Sequence, residues 1–194
     1  MKKYKICEIF SSVQGEGSAS GTPTIFIRFF GCNLACNFCD EPLHKISYVE
    51  MSEVEIQARL QKFKGRHITL TGGEPTLYNL NTLIKSLKGL GYYVSVETNG
   101  FNLDNIIEAD YIVCSPKGDF TYSKTVNEYK FIINRFSSLD KVMEGLDSGY
   151  KIYIQPENGM ETINGINLRY CLGLLEDFPN LKLSVQLHKL IGVR

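Results

Sequence analysis

Six short polar or glycine-rich stretches each follow an apolar run in this chain: 31–40 after 23–30, 71–75 after 67–70, 97–100 after 92–96, 115–117 after 110–114, 155–158 after 151–154, and 186–189 after 181–185. The runs are short and rich in β-branched and aromatic residues, which is strand composition. Where helices alternate with such strands, the strands lie parallel and their ends share one face, on which ligands bind. An α/β chain with its unusual polar stretches gathered on that face is the expectation.

Helix signals fall between several of the strands. Ser52-Glu53-Val54-Glu55 places a glutamate three residues after a serine, a capping box ahead of Ile56, Leu60 and Phe63. Leu80, Leu83, Ile84, Leu87 and Leu90 repeat at helical spacing, and Gly91 ends the repeat. Further helices are expected around 137–146 and 168–178, the second interrupted by Gly173. A fifth strand signal lies at Tyr129–Ile133, making seven strands in all. Seven strands and few helices in 194 residues fall short of an eight-unit barrel, so the expected fold is an open partial (β/α) barrel reduced in helices. Tyr4–Val13 is mixed in pattern and leads into a glycine-rich turn, Gln14-Gly15-Glu16-Gly17.

The length and a hydrophobic content of 43% suit a single domain over 1–194. Formal net charge is zero and no basic run exceeds Lys2-Lys3, so neither nucleic acid nor an anionic membrane is an expected partner and a small-molecule substrate fits better. No apolar run approaches the roughly 20 residues of a membrane span, and a cytoplasmic protein is expected. Cys7, Cys114 and Cys171 stand isolated among apolar neighbours and read as buried thiols.

The remaining cysteines are not isolated. Cys32, Cys36 and Cys39 form CxxxCxxC within Gly31–Asp40, and thiolates this close together point to a metal. A 4Fe-4S cluster usually takes four cysteines, so a set of three leaves one iron open to a small molecule. Zinc, with His44 or Asp40 as fourth ligand, is the competing reading. Just upstream, Arg28 is the one charge in an apolar strand, either facing water at an edge or clamping a carboxylate. Glu97 reads as a solvated strand-end charge or as an acceptor facing the cluster. His188, beside Gln186, reads as a structural histidine or as a ligand contact.

The CxxxCxxC signature, with aromatic Phe38 before its last cysteine, resembles the radical S-adenosylmethionine (radical SAM) superfamily. Thr71-Gly72-Gly73-Glu74-Pro75 resembles that superfamily's glycine–glutamate motif. Taken with Val13–Gly17, Arg28, Glu97–Gly100, Ser115–Lys117, Gln155-Pro156 and Gln186–Lys189, the chain is similar over nearly its whole length to the 7-carboxy-7-deazaguanine synthases. That resemblance implies the radical SAM type of open partial barrel and a reaction. 6-Carboxy-5,6,7,8-tetrahydropterin is rearranged to 7-carboxy-7-deazaguanine with loss of ammonia, using a 4Fe-4S cluster, SAM as a catalytic cofactor, and Mg2+. It further implies that Cys32, Cys36 and Cys39 hold the cluster. Phe38, Cys39, Asp40, Gly73, Ser115, Pro116, Lys117, Gln155, Pro156, Glu157 and Asn158 are implied to contact SAM. Val13, Gln14, Gly15, Arg28, Thr71 and Arg194 are implied to line the pterin site, where Glu97, Gln14 and His188 hydrogen-bond the substrate. Two positions depart from the family pattern. Glu41 stands where a hydroxyl residue is usual, which makes it a candidate magnesium ligand, and Arg194 stands where proline is frequent. A reductant such as flavodoxin or ferredoxin and a homodimer are implied as well. The other readings kept open are a radical SAM activase that makes a glycyl radical on a partner protein, and a non-catalytic iron–sulfur or zinc module.

Overall fold

A computed structural model of the protein describes residues 2–193, which fall into two compact units. The first runs to Ser12 and resumes over Pro23–Ile112; the second holds Val13–Thr22 and the described residues from Val113 onward.

In the first unit the chain forms β1 (Lys3–Val13, up to Ser12), β2 (Pro23–Phe29), β3 (Val49–Ser52), α1 (Glu53–Leu60), β4 (His67–Gly72), α2 (Asn81–Gly89), β5 (Tyr93–Thr98) and the first half of β6 (Tyr111–Cys114). The strand order is β3-β1-β2-β4-β5-β6, with β3 antiparallel to β1 and β2, β4 and β5 mutually parallel. Alternation along the strands sorts the residues by face. Ile25, Ile27 and Phe29 of β2 are wholly buried, as are Leu83, Ile84 and Leu87 of α2. The opposite face is polar. Thr24 and Thr69 hydroxyls lie 3.0 Å apart and Thr69 and Ser95 hydroxyls 3.1 Å apart, a ladder of hydroxyls across β2, β4 and β5. Arg28 lies on this second face, in register with Thr71. Because Thr69 pairs with Ser95, two residues further on the same face carries Thr71 beside Glu97. The strand alternation therefore aligns Arg28, Thr71 and Glu97 at the strand ends.

The second unit contains the rest of β6, then β7 (Glu128–Ile133), α3 (Asp140–Asp147), β8 (Ile152–Pro156), α4 (Gly165–Asp177), β9 (Lys182–Leu183) and α5 (Leu187–Ile191). Its strands run parallel in the order β6-β7-β8-β9. The Asn164 side chain caps α4, accepting from the Ile166 and Asn167 N–H groups at 3.0 and 3.1 Å. Tyr122 stacks on Tyr150 at 4.7 Å and meets Tyr129 edge-on at 4.6 Å, an aromatic nest under β7.

The capping box at Ser52 forms as expected, with the Ser52 N–H donating to Glu55 at 2.7 Å and the Glu55 N–H to Ser52 Oγ at 3.4 Å. Helix α2 ends at Gly89, and Gly91 just beyond it has a φ of +83°, which suits glycine. Nine strands occur among the described residues rather than seven. Tyr4–Val13 is one long strand, its inward residues Tyr4 and Ile6 buried; polar Glu8, Ser11 and Ser12 mask the alternation. Val49–Ser52 carries no strong strand signal because antiparallel pairing with β1, a contact remote in sequence, makes it a strand. The expected strand at 181–185 shortens to Lys182–Leu183. The Gln186–Lys189 stretch is not an open strand end: Gln186 immediately precedes α5 without a side-chain capping bond, and His188 and Lys189 lie on that helix. Helix α3 begins at Asp140 rather than near 137, since Asn134 and Ser137 close a turn first.

Candidate active site

The cysteine loop leaves β2 at Gly31, whose φ of +92° is the left-handed conformation that glycine adopts without strain. The Glu74 N–H donates to the Gly31 carbonyl at 2.8 Å and the Gly73 N–H to the Phe29 carbonyl at 3.2 Å, so the end of β4 is stitched to the root of the loop. A Cβ on Gly73 would stand 2.1 Å from the Gly31 carbonyl oxygen, and one on Gly72 would stand 2.2 Å from the Phe29 oxygen. The glycine pair is thus required by backbone packing against the loop.

Glu74 is fully buried and acts as the rivet of this half. It accepts from the Thr76 N–H (2.8 Å), Thr76 hydroxyl (2.6 Å), Thr98 hydroxyl (2.7 Å) and Asn99 N–H (2.6 Å), which ties the end of β4 to the end of β5. Asn99 in turn reaches the cysteine loop, its amide donating to Asn33 at 2.9 Å with Cys32 Sγ 4.0 Å away.

Cys32, Cys36 and Cys39 are free thiols, the first two part-exposed and Cys39 exposed. The Leu34 N–H donates to Cys32 Sγ at 3.4 Å, an amide–sulfur contact of the kind that tunes an iron–sulfur centre. Among the described residues no three His, Cys, Asp or Glu side chains converge as ligands of one ion must. A 4Fe-4S cluster does not ask this of them, because each thiolate binds a different iron. Three free thiols on one loop are the donor set that suits three irons of a cluster, leaving the fourth open. His44, the other candidate for a zinc site, is buried and its Nδ1 is taken by the Glu41 carbonyl.

Arg28 is not a solitary charge. Its Nε donates to Glu8 at 2.8 Å and its terminal nitrogen pairs with Glu41 at 2.7 Å, while Phe10 lies 5.8 Å below the guanidinium. The second oxygen of Glu41 accepts from the Leu43 N–H at 2.8 Å. Both oxygens of the candidate magnesium ligand are thus engaged. An arginine with two carboxylates carries one negative charge too many, a poised receptor only if one carboxylate gives way.

The second unit has its own cluster of site residues, around the turn at Gln14–Gly17. Buried Gln14 closes the turn through its N–H to Thr22 and its carbonyl from Gly21, both at 2.8 Å. The Gly15 carbonyl accepts from the Leu187 N–H at 2.9 Å, and a Cβ on Gly15 would stand 2.1 Å from His188 Nδ1. Gln14, Gly15 and His188 are therefore brought together. Burial alone would raise the Glu16 carboxyl, but Lys130, the Gln186 amide and His188 together hold it well below the ordinary carboxylate range. Asn158 donates to Gln186 at 3.0 Å and accepts from the Asn164 N–H at 2.8 Å, and Glu157 accepts from Asn134 at 2.9 Å. Lys117 folds back to donate to the Ser115 carbonyl at 2.8 Å. Gln155 is buried and accepts from the Ser184 hydroxyl at 2.8 Å. Val13 ends β1, and Pro156 ends β8. Arg194 lies outside the described residues.

Sequence reasoning missed Glu74, Asn99, Glu16 and Lys130 as site-building residues. Glu74 and Glu16 sit inside motifs already noted, whereas Lys130 lies in an apolar strand and has no signal of its own.

A parallel sheet with a three-cysteine loop after one strand and a glycine–glutamate pair after the next defines a class. The family model of the radical SAM superfamily matches residues 26–166. A synthase of Bacteroides thetaiotaomicron named 7-carboxy-7-deazaguanine synthase is 38% identical, with 98% of both chains covered, and its namesake from Haemophilus influenzae is 33% identical, covering 98% of this chain and 94% of its own. A crystal structure of QueE from Escherichia coli superposes with a TM-score of 0.80 at 26% identity, covering 96% of this chain and 95% of that one. The protein is a radical SAM protein with the open partial barrel of that class. Within the class, it belongs to the 7-carboxy-7-deazaguanine synthase family.

Proposed function

We propose that this chain converts 6-carboxy-5,6,7,8-tetrahydropterin to 7-carboxy-7-deazaguanine with loss of ammonia, in 7-deazapurine (queuosine) biosynthesis. The observation that carries the reading is the shared face of Arg28, Thr71 and Glu97 on β2, β4 and β5, beside the cysteine loop in one unit. A radical SAM activase and a non-catalytic iron–sulfur module are not favoured, since neither calls for that row.

When bound, the cluster and SAM supply a carbon-centred radical. The protein's part is to place and shield. Cys32, Cys36 and Cys39 would hold the cluster. Phe38–Asp40, Gly73, Ser115–Lys117 and Gln155–Asn158 are assigned to SAM. Arg28 and Thr71, with Val13, Gln14, Gly15 and Arg194, are assigned to the pterin; Arg28 pairs with its carboxylate. Glu97, Gln14 and His188 hydrogen-bond the ring. Mg2+ prefers near-octahedral oxygen coordination and keeps water, so it needs few protein ligands. Glu41 would supply one once the substrate carboxylate has taken Arg28. The whole chain is read as a single radical SAM domain, working in the cytoplasm as a homodimer, with a flavodoxin or ferredoxin as reductant. No described helix is long and apolar enough to cross a membrane.

The test is anaerobic reconstitution with iron and sulfide, then chromatography after incubation with SAM, Mg2+, a reductant and the tetrahydropterin. Formation of 7-carboxy-7-deazaguanine with SAM recovered is the expected result. SAM cleavage that ignores the pterin would point to the activase, and no cleavage to the non-catalytic module.

A further inference from the structure

Glu16 is a charged side chain that the proposed chemistry does not use, although it sits between residues that the chemistry does use. Its carboxylate accepts from the ammonium of Lys130, from the Gln186 amide at 2.9 Å and from the Gln155 amide at 3.3 Å. The three donors stand on different elements: β7, β8 and the cap of α5. All three are buried, Lys130 at 3% exposure. A carboxylate surrounded by buried donors has exchanged its water for protein on nearly every lone pair, and its position is fixed.

The backbone around it follows. The Glu16 N–H donates to the Gln14 side-chain oxygen at 3.2 Å, and the Gly17 N–H donates to Ser184 Oγ at 3.0 Å. Leu187 donates to the Gly15 carbonyl, and the His188 ring presses on Gly15 so closely that no side chain fits there. Two segments remote in sequence, one carrying Gln14 and the other His188, are therefore joined through one carboxylate and its immediate backbone.

We propose that Glu16 is a positioning residue, which fixes Gln14 and His188 relative to each other so that both meet the substrate. The inference rests on the function proposed above, where Gln14 and His188 are assigned to the pterin. A carboxylate is required because its surroundings are all donors: a carboxamide would turn an NH2 group toward Lys130 or toward a glutamine amide and lose a bond either way.

The test compares the reconstituted holoenzyme with Glu16→Gln and with the double variant Glu16→Gln/Lys130→Met, in which the ammonium facing Glu16 is removed as well. Glu16→Gln is expected to raise the pterin KM by roughly tenfold or more, as small misplacements do. More 5′-deoxyadenosine should form per product, since a misplaced substrate uncouples the radical. The double variant is expected to regain thermal stability without regaining the pterin KM. Recovery of both would reduce Glu16 to a charge partner of Lys130 and overturn the proposal, as would an unchanged pterin KM in Glu16→Gln. Hydrogen exchange at the Gly17 and Leu187 amides is read in the same proteins and should accelerate. If the wild-type protein cleaves SAM but leaves the pterin untouched, the functional reading fails. Exchange then still decides whether Glu16 joins the two segments, and unchanged exchange there overturns that.

Discussion

Arg28 in the first unit and Glu16 in the second are both charges set among strands, and they are treated in opposite ways. Arg28 is a cation between two carboxylates, a group with net charge −1, and the three side chains keep 13–21% exposure. Glu16, itself 17% exposed, is an anion matched to Lys130, whose side chain is 4% exposed, and its other partners are neutral amides. An excess of like charge favours exchange of one carboxylate for another. A balanced pair with a buried cation resists it, because removing either partner leaves the other short of its counter-charge. The first arrangement suits binding, the second suits holding a shape.

The strongest way to break this contrast is Lys130→Met. It leaves the Glu16 carboxylate without its cation, and breaking a buried pair costs about 3–5 kcal/mol. Urea denaturation should show a loss in that range. A loss below about 1 kcal/mol would mean that Glu16 is effectively solvated and the contrast is false.

Acid should find the same site. A carboxyl held below its ordinary value stabilises the fold fully at pH above its unfolded value, and this stability is lost as pH falls through the depressed folded value. Wild type is therefore expected to lose stability between about pH 4.3 and the folded value, at no more than about 1.4 kcal/mol per pH unit from this group. Glu16→Gln should show a shallower slope over that window. Identical slopes, from denaturation midpoints at several pH values, would place the acid sensitivity elsewhere.

Arg28→Lys probes the exchangeable side. The part-exposed pairs with Glu8 and Glu41 should cost about 0–1 kcal/mol when the planar fork is lost. Pterin affinity should fall by roughly tenfold while SAM affinity holds, because a bidentate carboxylate contact needs the fork. Equal losses for both ligands would show that Arg28 does not pair with the pterin carboxylate.

The same contrast explains what was legible in the sequence. Strands β2, β4, β5, β6, β7 and β8 and helices α1 and α2 declare themselves through alternation, helical spacing and caps that are local in the chain. β3 exists because β1 offers it an edge, and α5 because the 184–188 segment is pinned to the turn at Gly15; neither cause is local. The site residues divide likewise. Cys32, Cys36, Cys39 and Gly73 are visible as motifs, whereas the partners that hold them are not. Glu8 lies on the neighbouring strand β1, 20 residues before Arg28, and Lys130 lies more than a hundred residues from Glu16. An isolated arginine in an apolar strand suggests an anionic partner, but not that the chain supplies two of its own.

Glu41 is where the exchange on the binding side can be measured, with the smallest expected effect on the fold. One of its oxygens lies 2.7 Å from Arg28 and the other accepts from the Leu43 N–H at 2.8 Å, so Mg2+ would compete with Arg28 for it. A substrate carboxylate arriving at Arg28 would stand beside Glu8 and Glu41, adding a third negative charge to one cation. A divalent ion relieves that repulsion, and Glu41, displaced from Arg28, is an oxygen ligand of the kind magnesium takes. On this account metal and substrate bind together, each weakly without the other. Glu41→Gln keeps the side-chain length and the acceptor for Leu43 but removes the charge; its stability should change by no more than about 1 kcal/mol. Its Mg2+ requirement for turnover should rise by roughly threefold or more, since a neutral amide oxygen is the poorer magnesium ligand. Calorimetry of Mg2+ binding, with and without the pterin, separates the two roles of the residue. If Glu41→Gln needs no more Mg2+ than wild type yet binds the pterin more tightly, Glu41 competes for Arg28 and never reaches the metal.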